Sequence, residues 1–252
     1  MSQSGLIVWP LATGDVMLSR IPSEDVDSSR GLREITSLSP IRAILTYRKA
    51  ETIYSDTDRA DHWYCVLTGA ARKYTVLSDG RRQIVDFLLP GDYFGFRERH
   101  HCYFATDALL DGTTVARYPR HSIEAAADRD PGLSRQIREV VLDSMSRSQA
   151  RLLIMGRIRS IEKVGAFLWE MADRCLDRQE QTVVLPMSRY DIADYLALSV
   201  ETVSRALTRL RHAGAIRFVD KHRISILDSH LLGTSLLIDD EAEDEESFRA
   251  RA

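Results

Sequence analysis

Four residues within two helical turns carry the strongest chemical signal in this chain: Val200, Glu201, Ser204 and Arg205. At i, i+1, i+4 and i+5 they lie together on one helix face. That face offers a two-pronged cationic donor, an anionic acceptor, a hydroxyl and a small apolar group. Arginine can donate both prongs to guanine O6 and N7, glutamate can accept from the cytosine amine, and valine can pack on a thymine methyl. Such a set reads base edges in the major groove when it opens the second helix of a helix-turn-helix. Around it lie hydroxyl and basic side chains suited to phosphate oxygens: Ser188, Ser199, Thr202, Arg209, Arg211, Lys221 and Arg223. The plain alternative is a solvated helix face with an internal Glu201–Arg205 pair.

The neighbouring sequence supplies the elements that would hold this face. Thr182 to Leu185 reads as a short strand. Ser188 then caps a helix, SRYDIADYLA, and Asp191 three residues on completes a capping-box-like pair. Leu198-Ser199 makes a tight connection. Ser199 caps the next helix by its hydroxyl alone, because Thr202 stands where a reciprocal Glu would be. In SVETVSRALTRLRHAG, Val203, Leu207 and Leu210 face inward and Gly214 is the stop. Two short helices joined by a tight turn form a helix-turn-helix. Ile216 to Leu227, with a charged middle, reads as a hairpin wing.

Upstream the texture differs. Residues 1–37 read as a loosely ordered lead-in. Residues 38–120 contain short apolar runs separated by turn signals such as Ser78-Asp79-Gly80 and Pro90-Gly91-Asp92, which predicts a small sandwich or β-roll with a hairpin at LSDG. Residues 121–156 are helical. His121 to Ala127 is a short helix, and Pro131 opens a long one. Leu133, Ile137, Val141, Met145, Leu152 and Met155 are spaced mostly by four and form a stripe. A small β-domain cannot cover a stripe of that length, so a homodimer seam is expected there, with an ordinary core stripe as the alternative. Gly156 marks a break before a helix from Ile161 to Cys175, which opens a unit spanning 157–232.

The chain has 252 residues and a net charge of −3. Seven of the eight residues at 239–246 are acidic. The segment 233–252 carries −5, which leaves +2 on the rest. That segment reads as a disordered, solubilising tail, dispensable for folding, and the net charge does not argue against an anionic partner. No apolar run approaches the roughly 20 residues of a membrane helix. No signal-peptide pattern opens the sequence, and three scattered cysteines make a disulfide framework improbable. The expected compartment is a reducing cytoplasm.

The run IADYLALSVETVSRALTRLRHAGAI resembles the recognition unit of the CRP/FNR family of bacterial transcription regulators, and most of all its FNR and FixK branches. The resemblance spans about residues 40 to 230. Gly69, Gly80, Gly91 and Gly95 match the family's turn glycines, the helix after Pro131 resembles its dimer helix, and RSIEKVGAFLWEMADRC resembles the helix that opens its DNA-binding domain. The resemblance implies an α+β chain: an N-terminal β-roll like a cyclic-nucleotide-binding jelly roll, a long dimerisation helix and a C-terminal winged helix-turn-helix. It implies a homodimer on double-stranded DNA that recruits RNA polymerase, and half-sites like TTGAT and its inverted copy across a four-base spacer.

Two departures narrow the reading. Family members that bind cyclic AMP hold the phosphate with an Arg-Ser-Ala segment, whereas this chain has Phe104-Ala105-Thr106, so cyclic-nucleotide sensing is not expected. The oxygen-sensing branch carries an N-terminal cysteine cluster for an iron–sulfur centre that needs four thiolates. No cysteine precedes Cys65 here. No cofactor is expected, although a β-roll sensing haem, nitric oxide or a small metabolite is the alternative. His100-His101-Cys102 offers three soft ligands in a row, but adjacent residues on a strand point to opposite faces, and no metal site is assigned. Cys65 reads as core. Cys175 ends an amphipathic helix after Arg174; the plain reading is an inert structural thiol, and the alternative is a redox role, since a basic neighbour could lower its pKa. A cupin-type enzyme fails for want of ligands: His62 has Ala60 and Tyr64 where a second His would stand.

Overall fold

The computed structural model describes residues 7–10, 16–19, 42–96, 104–177 and 182–233. In the segment expected as a lead-in, β1 (Ile7–Pro10) pairs antiparallel with β2 (Val16–Ser19). The strands β3 (Ala43–Tyr47), β4 (Thr52–Tyr54), β5 (His62–Thr68), β6 (Ala71–Val76), β7 (Arg82–Leu88), β8 (Tyr93–Phe94), β9 (Ala105–Ala108) and β10 (Thr113–Pro119) build the roll. They form two four-stranded antiparallel sheets, ordered β3-β10-β5-β8 and β4-β9-β6-β7. In β5, Trp63 to Val66 are all buried, which explains the unbroken apolar run WYCV: both faces of this strand are covered. Tyr64, Val66, Leu88, Phe94 and Val115 fill the space between the sheets.

The turns follow from glycine. Gly69, Gly80, Gly91 and Gly95 all have positive φ, between 80° and 89°. At two of them there is also no room for a side chain. A Cβ on Gly69 would lie 2.5 Å from Thr113 Oγ1, and one on Gly95 would lie 2.8 Å from the His62 carbonyl oxygen.

Helix α1 (Arg120–Ala127) leads to α2 (Pro131–Met155), where Pro131 takes the first helical position and the Asp130 carboxylate accepts from the Gly132 amide at 2.8 Å. Helix α3 (Ser160–Cys175) buries Val164, Phe167, Leu168 and Met171. The chain continues through β11 (Leu176–Asp177), β12 (Thr182–Val184), α4 (Arg189–Leu196), α5 (Val200–His212), β13 (Ile216–Phe218), β14 (Arg223–Ile226) and α6 (His230–Gly233). One apolar cluster runs from Ile84 and Phe87 of the roll through Ile154 of α2 and Phe167 of α3 to Tyr195, Leu207 and Leu210.

The stripe on α2 needs correction. Leu133 is 2% exposed and lies in a cluster with Trp63, Cys65, Tyr118 and Ile123 of its own chain, with Ile137 packed against it. Met145 and Leu152 are 54% and 67% exposed, and Leu142 and Leu153, which the stripe omitted, are 52% and 63% exposed. The cause is helical pitch. Four residues overshoot a full turn by about 40°, so repeated four-residue steps rotate a stripe around the helix. Leu133 therefore faces the roll and Met145 faces outward. Met155 is half-buried beside fully buried Ile154.

Candidate nucleic-acid interface

Helix α5 is carried on α3 by Val203, Ala206, Leu207 and Leu210, all buried, at the i, i+3, i+4, i+7 spacing of one helix face. The opposite face is open. Glu201, Arg205, Thr208, Arg209, Arg211 and His212 are exposed, with Thr202 and Ser204 half-buried at its edge. No ion pair joins Glu201 to Arg205 in the structure, which disfavours the internal-pair alternative. Val200 is half-buried and packs partly on the core, so only part of its surface is available outward.

The entry to the site is fixed by caps. Ser188 and Asp191 form a complete capping box: the Asp191 amide donates to Ser188 Oγ at 3.2 Å, and the Ser188 amide donates to Asp191 Oδ2 at 3.0 Å. Ser188 Oγ also donates to Asp191 Oδ2 at 2.6 Å. Ser199 Oγ accepts from the Thr202 amide at 3.1 Å and lies 3.0 Å from Thr202 Oγ1. The hydroxyls of Ser188, Ser199 and Thr202, expected at phosphates, are thus engaged in capping. Between the helices, Ala197 has φ 53°, a left-handed conformation that turns the chain sharply into Leu198 and Ser199.

Three arginine side chains border the open face. Arg189 was not foreseen from the sequence. Its Nη1 donates to Ser204 Oγ at 3.3 Å, and its guanidinium lies 5.7 Å from the Phe218 ring centre. Arg211 lies 6.0 Å from the same ring. The signal for Arg189 is its place directly after the cap of the first helix. Arg223 pairs with Asp220 Oδ2 at 3.4 Å, and Asp220 Oδ1 accepts from the His222 and Arg223 amides, which closes the wing turn and leaves Lys221 exposed at its tip. The wing is tied to β12 by the Leu185 amide, which donates to the His222 carbonyl at 2.7 Å.

The surroundings of the half-buried Cys175 favour the inert reading over the redox alternative. Burial pushes its thiol up to about 11, and Arg174 only partly opposes this. The Arg174 guanidinium is committed elsewhere: to Asp92 Oδ2 at 2.7 Å, the Phe87 carbonyl at 2.7 Å and Glu170 Oε1 at 3.4 Å. Cys65 is fully buried, as expected. His100, His101 and Cys102 lie outside the described residues, as do Arg97 and Glu98 and the acidic tail from 234 onward. Among the described residues no group of three or more metal-ligating side chains comes together, and no helix is long and apolar enough to cross a membrane.

A concavity of about 290 Å³ lies between the roll and α2, bordered by Lys73, Asp86, Phe94, Phe104, Ser144 and Met145. The ammonium of Lys73 sits 5.5 Å from the centre of the Phe104 ring.

A β-roll joined through a long helix to a helix-turn-helix with an open, arginine-rimmed face defines a DNA-binding transcription regulator. Comparison with known proteins narrows this further. Residues 44–130 match the cyclic nucleotide-binding domain family and residues 162–234 the Crp-like helix-turn-helix domain family. The chain is 38% identical over 195 residues to the nitrogen fixation regulation protein FixK of Rhizobium meliloti, covering 77% of this chain and 88% of that one. It is 37% identical over 175 residues to the transcriptional activatory protein AadR of Rhodopseudomonas palustris, covering 69% and 73%. The solved structure of FixK2 from Bradyrhizobium japonicum superposes with a TM-score of 0.71 at 38% identity, covering 80% of this chain and all of that one. The chain belongs to the CRP/FNR family of bacterial transcription regulators, in its FixK-like branch, and is not an enzyme.

Proposed function

We propose that the chain acts as a homodimer on an inverted-repeat operator with TTGAT-like half-sites, and that it recruits RNA polymerase there from the cytoplasm. The observation that carries this reading is the open first half of α5, with Glu201 and Arg205 exposed and Ser204 at their side. Arg205 takes the guanine of TTGAT by its two-pronged contact. Glu201 accepts from the cytosine amine opposite, so two side chains check one base pair. Val200 packs its outer methyl surface on thymine. Ser204, steered by Arg189, is the adaptable fourth contact. Arg189, Arg209, Arg211, Lys221 and Arg223 neutralise phosphates, while the capping serines leave the helix N-termini to approach the backbone.

The test is a binding series on base-substituted palindromes at fixed salt. Arg205→Ala is expected to lose about 1–3 kcal/mol per half-site and to relax choice at the guanine. A wild-type protein with equal affinity for TTGAT and TGTGA palindromes would sink the role given to Val200, and unchanged discrimination by Arg205→Ala would sink the interface itself.

The concavity beside Lys73 favours a second reading, a β-roll that senses a small ligand. Lys73 supplies a cation there but faces Phe104 instead of the missing arginine. Saturable binding of a small anion by calorimetry, with a matching gain in operator affinity, would support it. No such response is expected from cyclic AMP.

A further inference from the structure

The roll reaches out and completes both ends of α4, the first helix of the helix-turn-helix. At its N-terminal end, Asp191 Oδ1 is shared by two roll arginines, Arg72 Nη1 at 2.7 Å and Arg82 Nη2 at 3.0 Å, while its other oxygen serves the capping box. Arg72 is held from behind by Asp107 of β9 at 3.5 Å, and Arg82 also pairs with Asp194 Oδ2 at 2.7 Å. At the C-terminal end, the last carbonyls of a helix lack intrahelical partners. Here Gln83 Nε2 donates to the carbonyls of Asp194 and Tyr195, and Arg151 of α2 donates to the Tyr195 carbonyl at 3.3 Å. Arg151 also spans back to the Ile84 carbonyl at 3.0 Å, which ties α2, β7 and α4 at one point. The side chains at the centre are well enclosed, Arg72 at 14% and Asp191 at 7% exposure.

These contacts leave the open face of α5 uncovered within the chain. The roll covers none of Glu201, Arg205 or Arg209, which stay exposed. The docked arrangement therefore does not block the interface, and a unit fixed before it meets DNA loses less freedom on binding. Removing an arginine from this enclosed cluster leaves its carboxylates less compensated and so loosens the junction.

We propose that Arg72, Arg82 and Gln83 on the β6–β7 hairpin, together with Arg151, are positioning residues for operator recognition: they lock α4 to the roll and so fix the angle at which each protomer presents α5. The inference rests on the DNA-binding reading above and adds the element that orients the site. It also assigns the hairpin a task for which none of its residues touches DNA.

The experiment is a double-mutant cycle in the full-length protein with Arg82→Ala, Asp194→Ala and both together. Affinity is measured for the palindromic operator and for a non-specific duplex at one salt concentration. Arg82→Ala is expected to weaken operator binding about tenfold, and Asp194→Ala, which leaves Arg82 on Asp191, by less. The double change should be no worse than Arg82→Ala alone, non-specific affinity should stay within about twofold of wild type, and Arg82→Lys should recover part of the loss. Operator binding by Arg82→Ala equal to or tighter than wild type would overturn the proposal, the latter by showing that the junction restrains the protein. Equal losses on both duplexes would also overturn it, as an effect of folding or charge alone. Failure of wild type itself to prefer the operator would count against the DNA-binding reading instead.

Discussion

Cys175 keeps its proton at neutral pH because its surroundings are short of water and its cationic neighbour is already spoken for by two carboxylates. With Cys65 pushed up to about 12 by burial, two of the three thiols are poor nucleophiles in the folded protein. Alkylation at pH 8 followed by mass spectrometry should leave both unmodified in the native state and label both in urea; rapid native labelling of Cys175 would reinstate a redox role. The sequence left the redox alternative open for a physical reason. A basic neighbour in the chain is visible in the sequence, but the partners that occupy it, Asp92 and Glu170, are set by the fold. The same limit hid the Arg72–Asp191 pair, whose members stand 119 residues apart. The open face of α5 was legible because it is local: Glu201, Ser204 and Arg205 lie within two turns of one helix, positioned by two caps that the sequence also shows.

At the scale of elements, local signals transferred well. The capping box at Ser188, the simple cap at Ser199, the proline at the start of α2 and the four turn glycines all mark features of backbone conformation, which a residue type dictates directly. Which way a long helix faces is not dictated so directly, and α2 shows it. Its outer face is Leu142, Met145, Leu152 and Leu153, and the spacing 142, 145, 152 falls on a heptad seam, whereas Leu133 belongs to the roll. Replacing Met145 and Leu152 with Glu is therefore expected to give folded monomers with weak operator binding. Leu133→Glu should instead unfold the roll, because it places a charge in a closed apolar cluster. Light scattering and circular dichroism separate the two outcomes, and dimers of full affinity in the first variant would move the seam elsewhere.

At the scale of the whole molecule, the carboxyl of Asp191 sets an acid limit on the junction between roll and helix-turn-helix. Burial pushes it up, but the Ser188 hydroxyl and amide, with Arg72 and Arg82, outweigh burial and hold it below its ordinary 3.8. A carboxyl depressed in the native state stabilises that state at every pH above the unfolded value, and the contribution fades as pH falls through the native value. Between pH 5 and 8 this group should therefore add no slope to the melting temperature. Below about pH 4 the slope should steepen, and calorimetry of Asp191→Asn should show lower stability at neutral pH with a shallower fall in acid; parallel curves for the two proteins would contradict the assignment. The apolar cluster shared by Phe87, Phe167 and Tyr195, whose rings lie 5.0 to 6.2 Å apart, has a consequence for how the chain comes apart. Because that cluster spans the break in the sequence near Gly156, the roll and the helix-turn-helix are expected to melt together in one calorimetric transition, and two resolved transitions would contradict this.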